Sequence, residues 1–145
     1  MLARALQFDD PKAVYTAAFY DGTSRDPGTF GLVVVPVPGV GLAEAEAALD
    51  ATLARFLKEG IDMDALARIR FQMRAEEVYA RDDIDRLARR YGEALAVGLT
   101  RADVEEWPAL LQSVTPEEVM AAAAEVLDRR RSVTGWLSRP EGETQ

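Results

Sequence analysis

The sequence predicts an α+β protein: a two-layer α/β sandwich whose mostly antiparallel sheet is covered on one face by about five helices. Three observations predict it. Phe30-Gly31-Leu32-Val33-Val34-Val35-Pro36 is a short, valine-rich run between Pro27-Gly28 and Pro38-Gly39. It is too brief for a stable helix and reads as a strand buried on both faces. Ala13 to Tyr20, rich in Val, Thr, Phe and Tyr, reads as a partner strand. From Leu42 to about Leu127 the apolar residues instead recur at helical spacing.

Taken in order, Met1 to Leu6 reads as the end of a helix, stopped before Pro11, which biases Asp10 to extended backbone. The turn residues of Asp21 to Thr29 join the two strands into an antiparallel hairpin with a long loop. After Gly39 to Gly41 a first helix spans Leu42 to Lys58, with Ala45, Leu49, Leu53, Phe56 and Leu57 on one face. Gly60 suits its C-terminal end, and Asp62 caps the next helix. That second helix carries Leu66, Ile69, Met73 and Val78 as its buried stripe. Arg81-Asp82-Asp83 interrupts the pattern, and a third helix follows with Ile84, Leu87, Ala88, Tyr91 and Leu95. Thr100-Arg101-Ala102-Asp103 is a capping box with Asp in place of Glu, opening a fourth helix that Pro108 should shorten or kink. Thr115-Pro116-Glu117-Glu118 opens a fifth, with Thr as cap and Pro in the first helical position. Ser132 to Leu137 reads as a last strand. The expected organisation is one domain over residues 1–139, truncated at its N-terminus, and a polar tail at 140–145. A three-stranded sheet is thin for five helices, which suggests further strands upstream and an unpaired edge that would drive self-association.

Composition narrows the chemistry. The 145 residues hold no cysteine and no histidine, so neither a conventional zinc site nor a histidine-dependent triad can be built from this chain. A net charge of −8 disfavours nucleic acid, and no apolar run approaches the length of a membrane span. Glu76-Glu77 and Asp82-Asp83-Asp85 are candidate acids or hard-metal ligands, but Arg74, Arg81, Arg86 and Arg89 lie near enough to make them surface ion pairs. Pro38-Gly39-Val40-Gly41 sits between strand and helix, where phosphate sites form. It lacks a nucleotide-binding glycine pattern, and Glu44 and Glu46 would repel an anion. Arg129 to Arg131 read as partners of a helix dipole and of carboxylates. Trp107 and Trp136 read first as core residues, and a ligand pocket around Tyr15, Phe19 and Trp136 is the other reading.

Several segments, in one collinear order, resemble the C-terminal part of insulinase/pitrilysin-like zinc metallopeptidases. FYDGTSRDPGTFGLVVVPVPGV resembles the family's hairpin. Leu49 to Leu53 with Lys58-Glu59-Gly60-Ile61 is similar to its "ALxxxLxxLxxxGV" helix, and Met63 to Arg70 to the segment that follows. Asp83 to Gly98 resembles "D…LAxxYGxxLxxG", and LLQSVTPEEV resembles "IxAVTxEDV" before a final strand. The resemblance implies a half-domain of a peptide-enclosing chamber, with no catalytic or metal-binding residue of its own. The zinc would lie in the parent's N-terminal domain, and this chain alone would be inactive. Implied partners are the N-terminal half-domain, a homologous subunit and the parent's peptide substrate, in a bacterial periplasm or cytoplasm. The family's substrate-contacting Arg-Tyr pair, "LRxxxGLAY", falls on Gln7 and Val14, with Tyr15 one step away, so the pair is absent. Tyr15 could stand for Val14 only through a change of strand register. The chain then belongs either to the zinc-bearing subunit of a two-subunit peptidase or to a scaffold subunit of the same fold without peptidase activity.

Overall fold

The computed structural model describes residues 1–80 and 82–138. Arg81 and the expected polar tail lie outside the described residues. A π-helical segment at Arg4–Asp9 leads into an antiparallel hairpin, β1 (Ala13–Tyr20) and β2 (Phe30–Pro36). Five α-helices follow: α1 (Leu42–Glu59), α2 (Met63–Ala80), α3 (Ile84–Ala96), α4 (Arg101–Ser113) and α5 (Pro116–Val126). The α+β class and every helix boundary match the sequence pattern to within a residue or two.

The sheet differs from expectation in two ways. Among the described residues it has two strands, not three. Ser132 to Leu137 pairs with no strand among them, and contacts on either side of its start place it beside α1. Arg129 pairs with Asp50 at 2.6 Å, and the Trp136 indole N–H donates to Glu46 at 2.9 Å. The hairpin is also not buried on both faces. Leu32, Val34 and Pro36 share the inner face with Thr16, Ala18 and Ala13, while Val33 and Val35 share an open outer face with Tyr15 and Phe19.

The core is small. Ala5, Leu6 and Ala13 are buried together, with Leu2, Val34, Ala48 and Leu49 packed against them. No large side chain is fully buried among the described residues. Helix α1 covers the inner face of β2, and α5 packs on α1. Helices α2, α3 and α4 pack chiefly on one another. The predicted stripe on α2 is only partly correct: Leu66 is buried, but Ile69 and Val78 are exposed. On α3, Ile84 and Leu95 are exposed and Ala94 is buried, so the buried face is turned from the predicted one.

Arg90 on α3 serves a need that arises in α4. Pro108 lies inside the helix and has no N–H to give to the carbonyl four residues back, which is Val104. The Arg90 guanidinium supplies the missing donor, reaching the Val104 carbonyl at 3.1 Å and Glu77 of α2 at 2.9 Å. The proline therefore neither ends the helix nor leaves a buried acceptor orphaned. Arg70 of α2 donates to the Val114 carbonyl, and Gln112 of α4 donates back to the Arg70 carbonyl at 3.2 Å. Three helices that bury few apolar side chains are thus held in part by polar clasps.

Candidate functional site

Of the residues expected at the substrate-contacting positions, Val14 and Tyr15 lie where β1 begins and Gln7 lies in the π-helical segment before it. Between Ala13 and Tyr15 the register slips. Ala13 faces Pro36 and Tyr15 faces Val35, so Val14 is the extra residue of a β-bulge. In an unbroken strand Val14 would point outward and Tyr15 inward. The bulge reverses this for Tyr15 and for every residue after it. Tyr15 therefore stands on the outer face with Ala17 and Phe19, opposite Gly31, Val33 and Val35. Tyr15 thus lies on the face that an unbroken strand would give to Val14. No residue type in the stretch signals the bulge, because Val14 is an ordinary strand residue.

Gln7 does not join this face. Its side-chain amide donates to the Thr16 hydroxyl at 2.7 Å, and Thr16 belongs to the inner face. Gln7 and Tyr15 are thus separated by the sheet. Val14, Tyr15 and Phe19 are all more than half exposed. The Phe19 ring lies over Gly31, so close that a side chain there would displace it. The result is an open, largely apolar wall of Tyr15, Phe19, Val33 and Val35.

The remaining candidates resolve as structural features. Glu77 is paired with Arg90, and Asp83 caps α3 by accepting the Arg86 amide at 2.9 Å. Arg74, Arg86 and Arg89 form no ion pair among the described residues, so the expected partners are not the ones used. Glu44 takes Lys12 at 2.7 Å, so the cation near the α1 N-terminus is already paired with a carboxylate of the first turn. Beside Glu44, which accepts its hydrogen bond, the Lys12 ammonium titrates above its ordinary value. Arg129, Arg130 and Arg131 pair with Asp50, Asp128 and Glu125. Neither tryptophan is a core residue, since both are half exposed or more. Trp136 lies along α1, away from Tyr15 and Phe19, so those three share no pocket.

Among the described residues no three carboxylate, imidazole or thiol groups come together. With neither histidine nor cysteine in the chain, the residues present do not fit a zinc site. A surface that sequence reasoning missed is an apolar groove of about 790 Å³ under the loop end of the hairpin. Ala18, Phe30 and Leu32 form its floor, Leu53 and Phe56 one wall, and Val119 of α5 the other. The helical periodicity of α1 and α5 marked these residues as apolar, but not that their space stays unfilled.

No family model and no curated protein matches the chain. Among solved structures, the inactive peptidase domain of a candidate zinc protease from Bordetella parapertussis superposes with a TM-score of 0.72 at 19% identity. The match covers 90% of this chain and 72% of that one. The hairpin and its five helices therefore have the fold of a zinc-protease peptidase domain.

Proposed function

We propose that the chain is a non-catalytic half-domain of an insulinase-like zinc metallopeptidase, forming part of a peptide-binding chamber and contacting a homologous half-domain. The fold likeness to a peptidase domain described as inactive carries this reading. The absence of histidine and cysteine from the chain is compatible with it. In this reading zinc and the reacting groups belong to an N-terminal domain of the parent. The outer wall of Tyr15, Phe19, Val33 and Val35 faces the chamber, where apolar surface without charge suits an extended peptide of varied sequence.

Photo-crosslinking tests it. A benzophenone side chain introduced at Tyr15 should capture an unfolded polypeptide such as reduced casein, and one at Phe71 on α2 should not. Equal capture at both positions, or none at Tyr15, rejects the chamber wall. The isolated chain should cleave no peptide with or without added zinc, and zinc-dependent cleavage would overturn the non-catalytic assignment.

One observation favours a second reading, a scaffold subunit of the same fold without peptidase activity. Gln7 is committed to Thr16 on the wrong face to hold a substrate backbone beside Tyr15. That reading predicts a stable stoichiometric partner and no capture of unfolded polypeptide at Tyr15.

A further inference from the structure

The chain exposes 11382 Å². A folded monomer of 15.9 kDa exposes about 7,400 Å². Full extension of the eight residues outside the described ones would explain roughly 1,300 Å² of the difference. More than 2,000 Å² of excess remains, whereas a standard interface takes only about 800 Å² from each partner. This much unburied surface calls for a partner.

Two features of the chain complement one another. The first is the groove, to which the strands contribute residues with a period of two: Thr16, Ala18 and Tyr20 from β1, Phe30 and Leu32 from β2. The second is the segment Ser132–Leu137. It pairs with no strand among the described residues, and in an extended strand Val133, Gly135 and Leu137 would share one side. Val133 is 98% exposed and Leu137 93%. These residues span about 13 Å when extended, the length of three alternate strand positions. The segment cannot fill the groove of its own chain as it stands. The Arg129–Asp50 and Trp136–Glu46 contacts lead it along α1 towards the N-terminus of that helix, away from Leu53 and Phe56.

We infer that a second copy of this chain seats its Val133 and Leu137 in the groove, and receives the same contact in return. Groove and segment both flank α1, so a two-fold axis beside that helix closes the pair. The inference needs only the inner face of the hairpin and does not depend on the peptidase reading, which concerns the outer one.

Sedimentation of the full chain tests it. Wild type should run as a dimer at micromolar concentration. Val133→Asp with Leu137→Asp should weaken association at least tenfold and leave the circular dichroism unchanged, because both side chains are already in water. The absence of cysteine allows a second measurement. Leu32→Cys and Leu137→Cys chains, mixed and oxidised, should form a disulfide between chains, and a Leu32→Cys with Phe71→Cys mixture should not. A wild-type monomer at about 100 µM, a dimer unaffected by the aspartates, or a disulfide that forms only within a chain carrying both cysteines overturns the proposal.

Discussion

At the scale of single residues, the chain relies on oxygen atoms that cap helices. The Asp103 carboxylate accepts the Thr100 hydroxyl at 2.6 Å and the Thr100 amide at 2.7 Å. Those bonds hold its pKa below the ordinary 3.8. Asp62 is held low in the same way, first by the Ala65 amide and then by that of Asp64. A carboxyl whose folded pKa is depressed stabilises the fold above its unfolded value and loses that contribution as pH falls through the folded one. Thermal stability should therefore drop as pH goes from about 4 towards 2. Asp103→Asn, which accepts similar bonds without titrating, should flatten that drop, and superimposable melting profiles for the two proteins would show the cap to be inert. Gly28 offers a steric test. A Cβ there would lie 2.5 Å from the Asp21 carbonyl oxygen, a backbone atom that cannot swing aside. Gly28→Ala should cost about 1–2 kcal/mol in chemical denaturation, within the usual range for backbone effects. At Gly31 the obstructing atoms belong to the exposed Phe19 ring, which can rotate away, so Gly31→Ala should cost less.

At the scale of elements, the helices and both strands of the hairpin were legible, and the long-range features of the sheet were not. Thr100 and Thr115 each form the reciprocal capping box that their sequences predict, since such a box depends only on residues three apart. The bulge at Val14, the open outer face and the unpaired Ser132–Leu137 segment depend on partners distant in sequence, and no local pattern encodes them. Burial failed for a related reason. The predicted stripe on α2 assumed that its apolar residues would meet a partner, yet Phe71 and Tyr79 as well as Ile69 and Val78 face solvent. Pro108 shows a long-range contact overriding a local rule. Its helix survives because Arg90, on another helix, satisfies Val104. Arg90→Ala should then cost about 1–3 kcal/mol, the range for an orphaned buried acceptor. In a Pro108→Ala background the backbone supplies the missing N–H, and the same substitution should cost less. A double-mutant cycle by urea denaturation measures the difference. Strict additivity would mean that Arg90 acts only through Glu77.

At the scale of the whole molecule, the deciding quantity is how little surface folding removes. An unfolded chain of 15.9 kDa exposes about 23,000 Å², and a domain near this size buries roughly 68–70% of that. With 11382 Å² still exposed, this chain buries only about half. The denaturant dependence of stability scales with the area exposed on unfolding. A solitary chain should therefore unfold with an m-value about three-quarters of that usual for its length. Any partner that covers the hairpin or the groove should raise it, because the dissociated, unfolded state then differs from the native one by more area. A shortage of contacts and a weakness in them leave different signatures. Mutations that only weaken contacts shift the midpoint and leave the slope alone, whereas a missing partner lowers the slope itself. Urea unfolding at dilute and concentrated protein distinguishes the two. The slope should rise with concentration as copies associate, and a slope that is normal for the length at every concentration would mean that the exposed apolar faces are not interfaces.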